Sequence, residues 1–160
     1  MGLIQLPTFQ MRTDEQIVPM QYEHLFGLKL GPHDAEYEKY IPNYRDYIYD
    51  NSVFGWSWTG VGRGRIVCCF GLRDMWPGLV ELWLLPGEGI DRHVRTLLVG
   101  ARAILKDVIS DSDIRRVQIA VKVEHEAAFR FAKALGFEVE CILRKYGPEG
   151  ADYYSMARFS

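Results

Sequence analysis

The sequence predicts an α+β fold: a central mixed, mostly antiparallel sheet with a strand-helix-strand-helix core, flanked by helices. Residues 79–85 form a nearly continuous apolar run, as expected for a strand that is buried on both faces. The segment after this run has apolar residues at helical spacing, namely Val94, Leu97, Leu98, Ala101, Ile104, Leu105 and Val108. The length of 160 residues, with 48% hydrophobic and 25% charged residues, indicates one globular domain of ordinary size.

The composition narrows the classes of partner. A formal net charge of −2 provides no basic surface for nucleic acid or for an anionic membrane, so we expect neither as a partner. The three cysteines, Cys68, Cys69 and Cys141, are odd in number and two are adjacent. This favours a reducing compartment, the cytoplasm, over a disulfide framework. The four histidines are dispersed without ligand spacing, so the sequence predicts no metal site.

The first segment of the chain shows no regular spacing of apolar residues. Residues 1–22, which contain Pro7 and Pro19, are predicted to form an N-terminal arm, and residues 23–160 the folded domain. No apolar run in the chain approaches the length of a membrane span.

Two tyrosine-rich helical pieces are expected near the start of the domain. A short strand is predicted at residues 25–30, ended by Gly31 and Pro32. A helix then follows with Asp34 as its N-cap, and a second helical piece follows Pro42. The tyrosines of these pieces indicate a half-buried face with solvated hydroxyl groups.

An antiparallel pair of strands is predicted next. Residues 53–59 alternate between apolar and polar, and residues 65–71 form the second strand. The glycines of residues 60–64 resemble a phosphate-binding loop in isolation. They lie between two strands and not before a helix, so a hairpin turn is predicted.

The second half of the chain predicts a strand at residues 117–123 and a helix at residues 124–135. Gly136 follows the helix, at the position where a left-handed residue commonly ends one. Residues 137–143 and 153–159 then predict a closing hairpin.

A tight loop joins the central strand to the long helix. It contains Pro86, Gly87 and Gly89, with Asp91 as the predicted N-cap of the helix. Backbone N–H groups at the start of a helix can bind an anion, so this loop is predicted to form an anion site.

Two stretches of the sequence match a known pattern. Residues 125–137 read His-Glu-Ala-Ala-Phe-Arg-Phe-Ala-Lys-Ala-Leu-Gly-Phe, with an alanine, two apolar helix positions and a Leu-Gly-Phe ending in the expected spacing. Residues 143–156 follow with a matching hairpin. Over residues 23–159 the chain thus resembles the GNAT superfamily of acyl-CoA-dependent N-acyltransferases. The resemblance implies a GNAT-like fold, acetyl-CoA as cofactor, and a small-molecule or protein amine as acceptor.

The resemblance also implies a cofactor site in which pantetheine lies along residues 79–85 and phosphates bind at the next loop. Aligned without gaps, Gly89 takes the place of the family's Arg or Gln, Arg92 of its central Gly, and Val94 of its Gly or Ala. Arg92 and Arg95 can bind phosphate through their guanidinium groups, or they simply cover the solvent face of the helix. The predicted cofactor-binding residues are Trp83, Leu84, Leu85, Gly89, Asp91, Arg92, His93, Val94 and Arg95.

Three residues are predicted to be catalytic. Glu81 is the one carboxylate in the apolar central strand and is the candidate general base, although a solvent-facing position is equally compatible with the pattern. His125 is a candidate acid or base, since imidazole titrates near neutral pH. Ala132 occupies the place where the family often has a proton-donating tyrosine, so Tyr146 is the candidate acid. The open alternatives are Tyr153 and Tyr154 for the acid and His93 for the base.

A second function remains compatible with the sequence. The small loop residues and the helix tyrosine that the family commonly has are both missing from this sequence. The chain also has a looser similarity to GNAT-like proteins of tailed phages, including internal virion proteins. That similarity implies a catalytically degenerate protein that acts as a virion-associated, assembly or host-interaction module. It would then form a homo-oligomer or bind a phage protein.

Overall fold

The computed structural model describes residues 14–110 and 113–160. The strands of this part of the chain are β1 (Glu15–Pro19), β2 (Ser57–Gly62), β3 (Arg65–Trp76), β4 (Leu79–Pro86), β5 (Arg116–Lys122), β6 (Glu138–Leu143) and β7 (Tyr153–Phe159). Its helices are α1 (Tyr22–Gly27), α2 (Pro32–Ala35), α3 (Tyr37–Tyr40), α4 (Tyr44–Asp50), α5 (Val94–Ser110) and α6 (Glu126–Ala134). A 3-10 turn, Ile90–His93, leads directly into α5.

The described strands form one seven-stranded sheet in the order β1-β2-β3-β4-β5-β7-β6. β4 and β5 are parallel, and the other neighbouring strands are antiparallel. The connection from β4 to β5 is α5, so the predicted strand-helix-strand-helix core lies at the centre of the sheet. The predicted α+β fold, with a mixed and mostly antiparallel sheet flanked by helices, is confirmed.

The two faces of the sheet pack against different helices. Successive residues of a strand point to opposite faces. On β4, Val80 and Leu82 belong to the larger core with α5 and α6, whereas Trp83 and Leu85 pack with the smaller core under α1–α4. None of the described helices has both the length and the apolar character that a membrane span requires.

The region before β2 differs from the prediction. Residues 25–30, predicted as a strand, belong mostly to α1 and to the segment after it, and only Leu30 forms an isolated bridge, with Gly87. Leu25 and Leu28 are 0% and 2% exposed, and their spacing of three residues suits a helical turn better than alternation.

The edge strand β1 also lies within the segment predicted as an N-terminal arm. Glu15 to Pro19 pair with β2 along the whole strand, from Glu15 opposite Gly62 to Pro19 opposite Trp58. The sheet therefore begins before the predicted boundary at residue 22. Residues 1–13 lie outside the described residues, and for them the arm stays a prediction.

Both predicted N-caps are wrong. Asp34 lies inside the first turn of α2, where Gly31 is the N-cap. Asp91 lies in the 3-10 turn, whose N-cap is Gly89 with φ of 81°. In each case glycine begins the turn, so the aspartate side chain has no capping role.

The predicted hairpin at residues 60–64 is confirmed. Arg63 and Gly64 both have positive φ, 51° and 72°, as the two central residues of a tight hairpin turn require. The first strand of the pair begins at Ser57, later than the predicted residue 53. Gly136 has the predicted left-handed conformation after α6, with φ of 88°.

Candidate functional site

The central feature of the site is a fork between β4 and β5. The two strands pair at only three positions, Leu79 with Arg116, Val80 with Val117, and Glu81 with Gln118. Beyond these pairs β4 continues to Pro86 and β5 to Lys122 without pairing to each other. We call the gap between residues 82–86 and 119–122 the fork.

A cavity of about 210 Å³ occupies the fork. The polar and aromatic side chains along it are His33, Asp34, Tyr37, Tyr44, Glu81, Trp83, Lys122, His125 and Tyr153. Its apolar lining consists of Leu82, Leu84, Pro86, Ile119, Ala120, Val121, Ala128, Phe131, Ala132 and Leu135. The cavity thus has a polar side towards α2–α4 and an apolar side towards α6.

Glu81 lies where the fork opens and is half-buried. The Arg73 Nη1 atom on β3 is 3.7 Å from one of its carboxylate oxygens, and the Gln118 Nε2 atom on β5 donates to the other at 3.3 Å. These contacts from both neighbouring strands orient the carboxylate, and Arg73 balances its charge.

Tyr146 lies close enough to Glu81 for the two groups to interact. Burial raises the pKa of the Tyr146 hydroxyl, and the negative charge of Glu81 raises it further. The Tyr146 ring lies against Tyr153, with 5.3 Å between the ring centroids. The loop between β6 and β7 therefore places the Tyr146 hydroxyl within electrostatic range of Glu81, and Tyr146 itself does not line the cavity.

His125 lies at the other end of the cavity, as the N-cap of α6. Its Nδ1 atom accepts a hydrogen bond from the Ala128 N–H at 3.3 Å, and its ring stacks on His33 with 4.0 Å between centroids. Burial lowers the pKa of His125, and the nearby His33 and Lys122 lower it further. The ring is therefore neutral at pH 7, which agrees with Nδ1 as an acceptor.

The stacked histidines join α2 to α6 across the mouth of the fork. The Gly31 N–H donates to the Pro86 carbonyl at 3.0 Å, which fixes the start of α2 to the end of β4. Because His33 follows on α2 and His125 follows β5, their stacking connects the two sides of the fork.

Asp34 is a cavity residue that the sequence did not identify. Burial raises the pKa of its carboxyl from 3.8 to about 7, and the charge of Lys122 opposes the shift. Among the described residues, the Asp34 carboxylate forms no hydrogen bond and no ion pair. An aspartate after Gly-Pro-His is typical of a helix start, so no signal in the sequence indicated its place in the cavity.

Lys122 and Tyr153 lie beside Asp34 and share one partner. The Lys122 ammonium is 3.0 Å from the Glu149 carboxylate, with both side chains 11% exposed. The Tyr153 hydroxyl donates to the same carboxylate at 3.4 Å. Burial raises the pKa of Tyr153 to about 12, with a contribution from Asp34. A phenol with this pKa is a weak proton donor at neutral pH.

The remaining candidates for the proton donor lie elsewhere. Tyr154 packs in the larger core against Phe129, with 5.1 Å between ring centroids. Ala132 is 1% exposed and contributes only a methyl group to the cavity wall. The Trp83 indole N–H is buried and has no partner in the described part of the chain.

In the loop after β4, which was predicted to bind an anion through its backbone, four N–H groups are not available to a ligand. These groups donate to carbonyl oxygens of the protein, at 2.8–3.3 Å, and belong to Gly87, Glu88, Ile90 and Arg92. Two of the acceptors, Val67 and Lys29, lie on neighbouring segments. The loop is thus tied to the sheet by the atoms that were expected to bind an anion.

His93, predicted to bind the cofactor, is 9% exposed and contacts the N-terminal strand. Its Nδ1 atom is 2.8 Å from a carboxylate oxygen of Glu15, and the Thr96 hydroxyl donates to the other oxygen. A Cβ atom on Gly62 would lie 2.4 Å from the His93 ring, so the glycine leaves room for it. These contacts fix the start of α5 on the edge of the sheet.

Other predicted cofactor residues surround an open groove beside the loop. The groove has a volume of about 700 Å³ and is lined by Gly89 and Arg92, together with Lys29, Arg63 and Arg65. Of the remaining predicted residues, Trp83 and Leu84 line the cavity of the fork, and Leu85 is buried in the smaller core. Asp91, Val94 and Arg95 are exposed and line neither space.

Many solved structures have this arrangement of elements. A GNAT-family acetyltransferase from Bacillus anthracis superposes with a TM-score of 0.68, at 16% identity, over 91% of this chain and 95% of its own. A ribosomal L7/L12 alpha-N-protein acetyltransferase in complex with coenzyme A superposes with a TM-score of 0.70, at 13% identity, over 96% and 97% of the two chains. The chain has the GNAT fold.

A third structure with this fold is the ribosomal-protein-S18-alanine N-acetyltransferase from Escherichia coli, which has a TM-score of 0.59 and 17% identity. The superposition covers 89% of this chain and 92% of the E. coli chain. No protein-family profile matches the sequence, and no curated protein matches it either. At these identities the similarity shows the GNAT fold alone, and nothing in the comparisons supports the similarity to phage proteins.

Proposed function

We propose that this protein is an acyl-CoA-dependent N-acyltransferase that transfers an acyl group to an amine. The observation that supports this proposal is the separation of β4 and β5 beyond Glu81, which opens a cavity between two central strands. A cavity at a break in strand pairing exposes backbone polar groups to a ligand, and here a charged side chain lies at its closed end.

The fork and the loop after β4 would hold different parts of acetyl-CoA. The fork has unpaired strand edges and an apolar wall, which suit the extended pantetheine arm. Four N–H groups of the loop already donate to carbonyl oxygens of the protein. The phosphates would therefore be held by the side chains of Arg92 and Arg95, which are both exposed. When bound, acetyl-CoA supplies a thioester whose carbonyl carbon accepts the amine.

Glu81 acts as the general base in this proposal. It takes a proton from the acceptor amine, directly or through a water, and the Arg73 and Gln118 contacts hold it in place. A backbone N–H near Leu84 would polarise the thioester carbonyl. Tyr146, whose hydroxyl is protonated at pH 7, is the candidate that would return a proton to the departing thiolate, although its raised pKa makes it a weaker acid than a free phenol. His125 remains a wall of the cavity and a candidate for positioning the ligand.

Replacement of Glu81 by Gln tests this proposal. We expect acetyl-CoA to bind both proteins in calorimetry, and kcat to fall by roughly 10²–10⁴-fold in Glu81→Gln because the proton acceptor is lost. Thiol release in the presence of a panel of amines measures kcat. Glu138→Gln, which changes an exposed residue of β6, is the matched control and should leave kcat unchanged. Absence of acetyl-CoA binding at millimolar concentration would refute the proposal.

The occupied N–H groups of the loop favour a second candidate, a GNAT-fold protein that has lost acyl transfer and binds a partner. An exposed aromatic cluster supports it: Tyr22, Phe26 and Tyr49 are 41%, 52% and 41% exposed, and the Tyr22 ring contacts the rings of the other two. Such a cluster suits a protein interface. The same calorimetry separates the two candidates, since this one predicts no acetyl-CoA binding. A virion-associated role for such a module stays a prediction.

A further inference from the structure

The open groove beside the loop after β4 collects positive charge on a protein whose formal net charge is −2. The cationic side chains among the described residues that line it are Lys29, Arg63, Arg65 and Arg92. The carboxylate among these lining residues is Glu88. A local excess of one sign attracts ions of the opposite sign, so the groove favours an anionic ligand.

Two of these cations have no counter-ion in the protein. The Lys29 ammonium is 3.0 Å from the Glu88 carboxylate, and the Arg63 guanidinium is 3.7 Å from a carboxylate outside the groove. Within the described part of the chain, Arg65 and Arg92 form no ion pair, and both are exposed. A guanidinium group presents paired N–H donors that match the oxygens of a phosphate, so these two side chains suit a phosphate-bearing ligand.

The backbone of the loop fixes the segments that carry the cations. The Glu88 N–H donates to the Lys29 carbonyl at 2.8 Å. The Gly87 N–H donates at 2.8 Å to the carbonyl of Val67, which follows Arg65 by two residues on β3. The N–H groups that are closed to a ligand therefore hold side-chain donors from three segments around one space. The main chain beneath these donors needs no rearrangement to bind an anion, which lowers the cost of binding.

The groove lies next to the fork without overlapping it. No described residue lines both spaces. Pro86 lines the fork and Glu88 lines the groove, and two residues of chain span at most roughly 7 Å. The groove volume of about 700 Å³ lies within the range of about 300–1,000 Å³ that is usual for small-molecule sites. It therefore has room for a nucleotide while the fork holds an extended arm.

We propose that the groove binds the phosphate groups of a nucleotide-sized ligand, with Arg65 and Arg92 as the contacting side chains. Two sources share this chemistry. One is the nucleotide end of acyl-CoA, and this source rests on the proposed function, in which Arg92 already contacts the phosphates. The other is a free nucleotide that binds beside the cofactor, and this source requires no acyl transfer.

Calorimetry with CoA, ADP and pantetheine tests the site. Pantetheine has the thiol-bearing arm of CoA but no phosphate and no nucleotide. We expect Arg65→Gln and Arg92→Gln each to raise the Kd of the phosphate-bearing ligand by roughly 5- to 20-fold, because one charge-assisted contact is lost. The Kd of pantetheine should stay within about twofold. Added salt should weaken binding of the phosphate-bearing ligand, since the contacts are exposed.

Two further variants separate the contact from net charge and from folding. Arg65→Lys keeps the charge and should restore most of the affinity. Arg130→Gln removes a cation of α6 that is 70% exposed, paired with Glu126, and outside both the groove and the fork. It should leave every Kd within about twofold. All of these substitutions are at exposed positions, so Tm should stay unchanged.

The source of the phosphate follows from competition. ADP that competes with CoA, together with a loss of CoA affinity in Arg65→Gln, supports the nucleotide end of CoA as the occupant. ADP that binds to the protein saturated with CoA, and that Arg65→Gln weakens, supports a separate nucleotide. ADP binding that depends on Arg65 in a protein that binds no CoA supports the groove and counts against the acyltransferase. If neither arginine variant changes the Kd of CoA or ADP, or if neither ligand binds the wild type, the groove site is overturned. In the first case, CoA binding that persists leaves the acyltransferase proposal intact.

Discussion

Replacement of Glu15 by Ala should strongly destabilise the protein. The Glu15 side chain is 5% exposed and binds the His93 ring at 2.8 Å and the Thr96 hydroxyl. Its loss leaves the buried His93 ring and the part-buried Thr96 hydroxyl without that acceptor. Breaking a buried pair by removal of one partner destabilises by about 3–5 kcal/mol. For a domain of this size each kcal/mol lowers Tm by roughly 2–4 °C, so we expect a decrease of roughly 6–20 °C.

Urea unfolding followed by circular dichroism measures this effect, with the midpoint expected to fall and the m-value to stay constant. Gln16→Ala is the matched control, because this exposed neighbour on β1 should change the free energy of unfolding by less than about 0.5 kcal/mol. Glu15→Ala and His93→Ala should also be non-additive when combined, since they remove the same contact. A loss below about 1 kcal/mol for Glu15→Ala would refute the view that β1 holds the start of α5.

Three further predictions concern other parts of the fold. The pKa of Asp34 is raised to about 7 from 3.8, so its stabilising contribution is present below about pH 3.8 and is lost as the pH rises through 7. The stability of wild type relative to Asp34→Asn should thus fall by up to about 4 kcal/mol between pH 4 and 8 in urea titrations, and a flat difference would contradict this. The titratable groups that line the cavity with Asp34 are His33, Tyr37, Tyr44, Glu81, Lys122, His125 and Tyr153. Gly71→Ala places a Cβ 2.7 Å from the Trp56 carbonyl oxygen and should destabilise by about 1–3 kcal/mol, and an unchanged Tm would argue against this contact. Phe137→Ala empties a fully buried site and should destabilise by about 3–5 kcal/mol in the same titration, whereas Phe159→Ala at an exposed position should have little effect.

The central part of the fold could be predicted because its periodicities are long and unambiguous. The apolar run of β4 and the helical spacing of α5 each reflect burial by neighbouring elements, and both were placed correctly. Residues 25–30 were misassigned because Leu25 and Leu28 suit either a short strand or one helical turn. The smaller core under α1–α4 determines which of the two forms, and it is built from distant segments such as β3 and β4.

The candidate site was predictable only where one strand supplied the signal. Glu81 stood out as a charge among apolar residues, and the structure places it in the cavity. The place of Asp34 depends on how α2 crosses the end of β4, which no local pattern describes. Likewise, the spacing of the loop aligned well with an anion-binding turn, but spacing does not reveal that Val67 and Lys29 accept its N–H groups.

The strand order has a consequence for how the chain acquires its site. β7 follows β6 in the chain but inserts between β5 and β6, and its first residue, Tyr153, lies opposite Lys122 at the cavity. Until it arrives, β5 has a bare edge and β6 has no neighbour. Contacts between residues so far apart in the chain form slowly, and exposed edges invite association. Ligand competence is thus expected only once β7 has been synthesised, and a nonsense codon ahead of residue 153 should yield an aggregating product, not a weakened one.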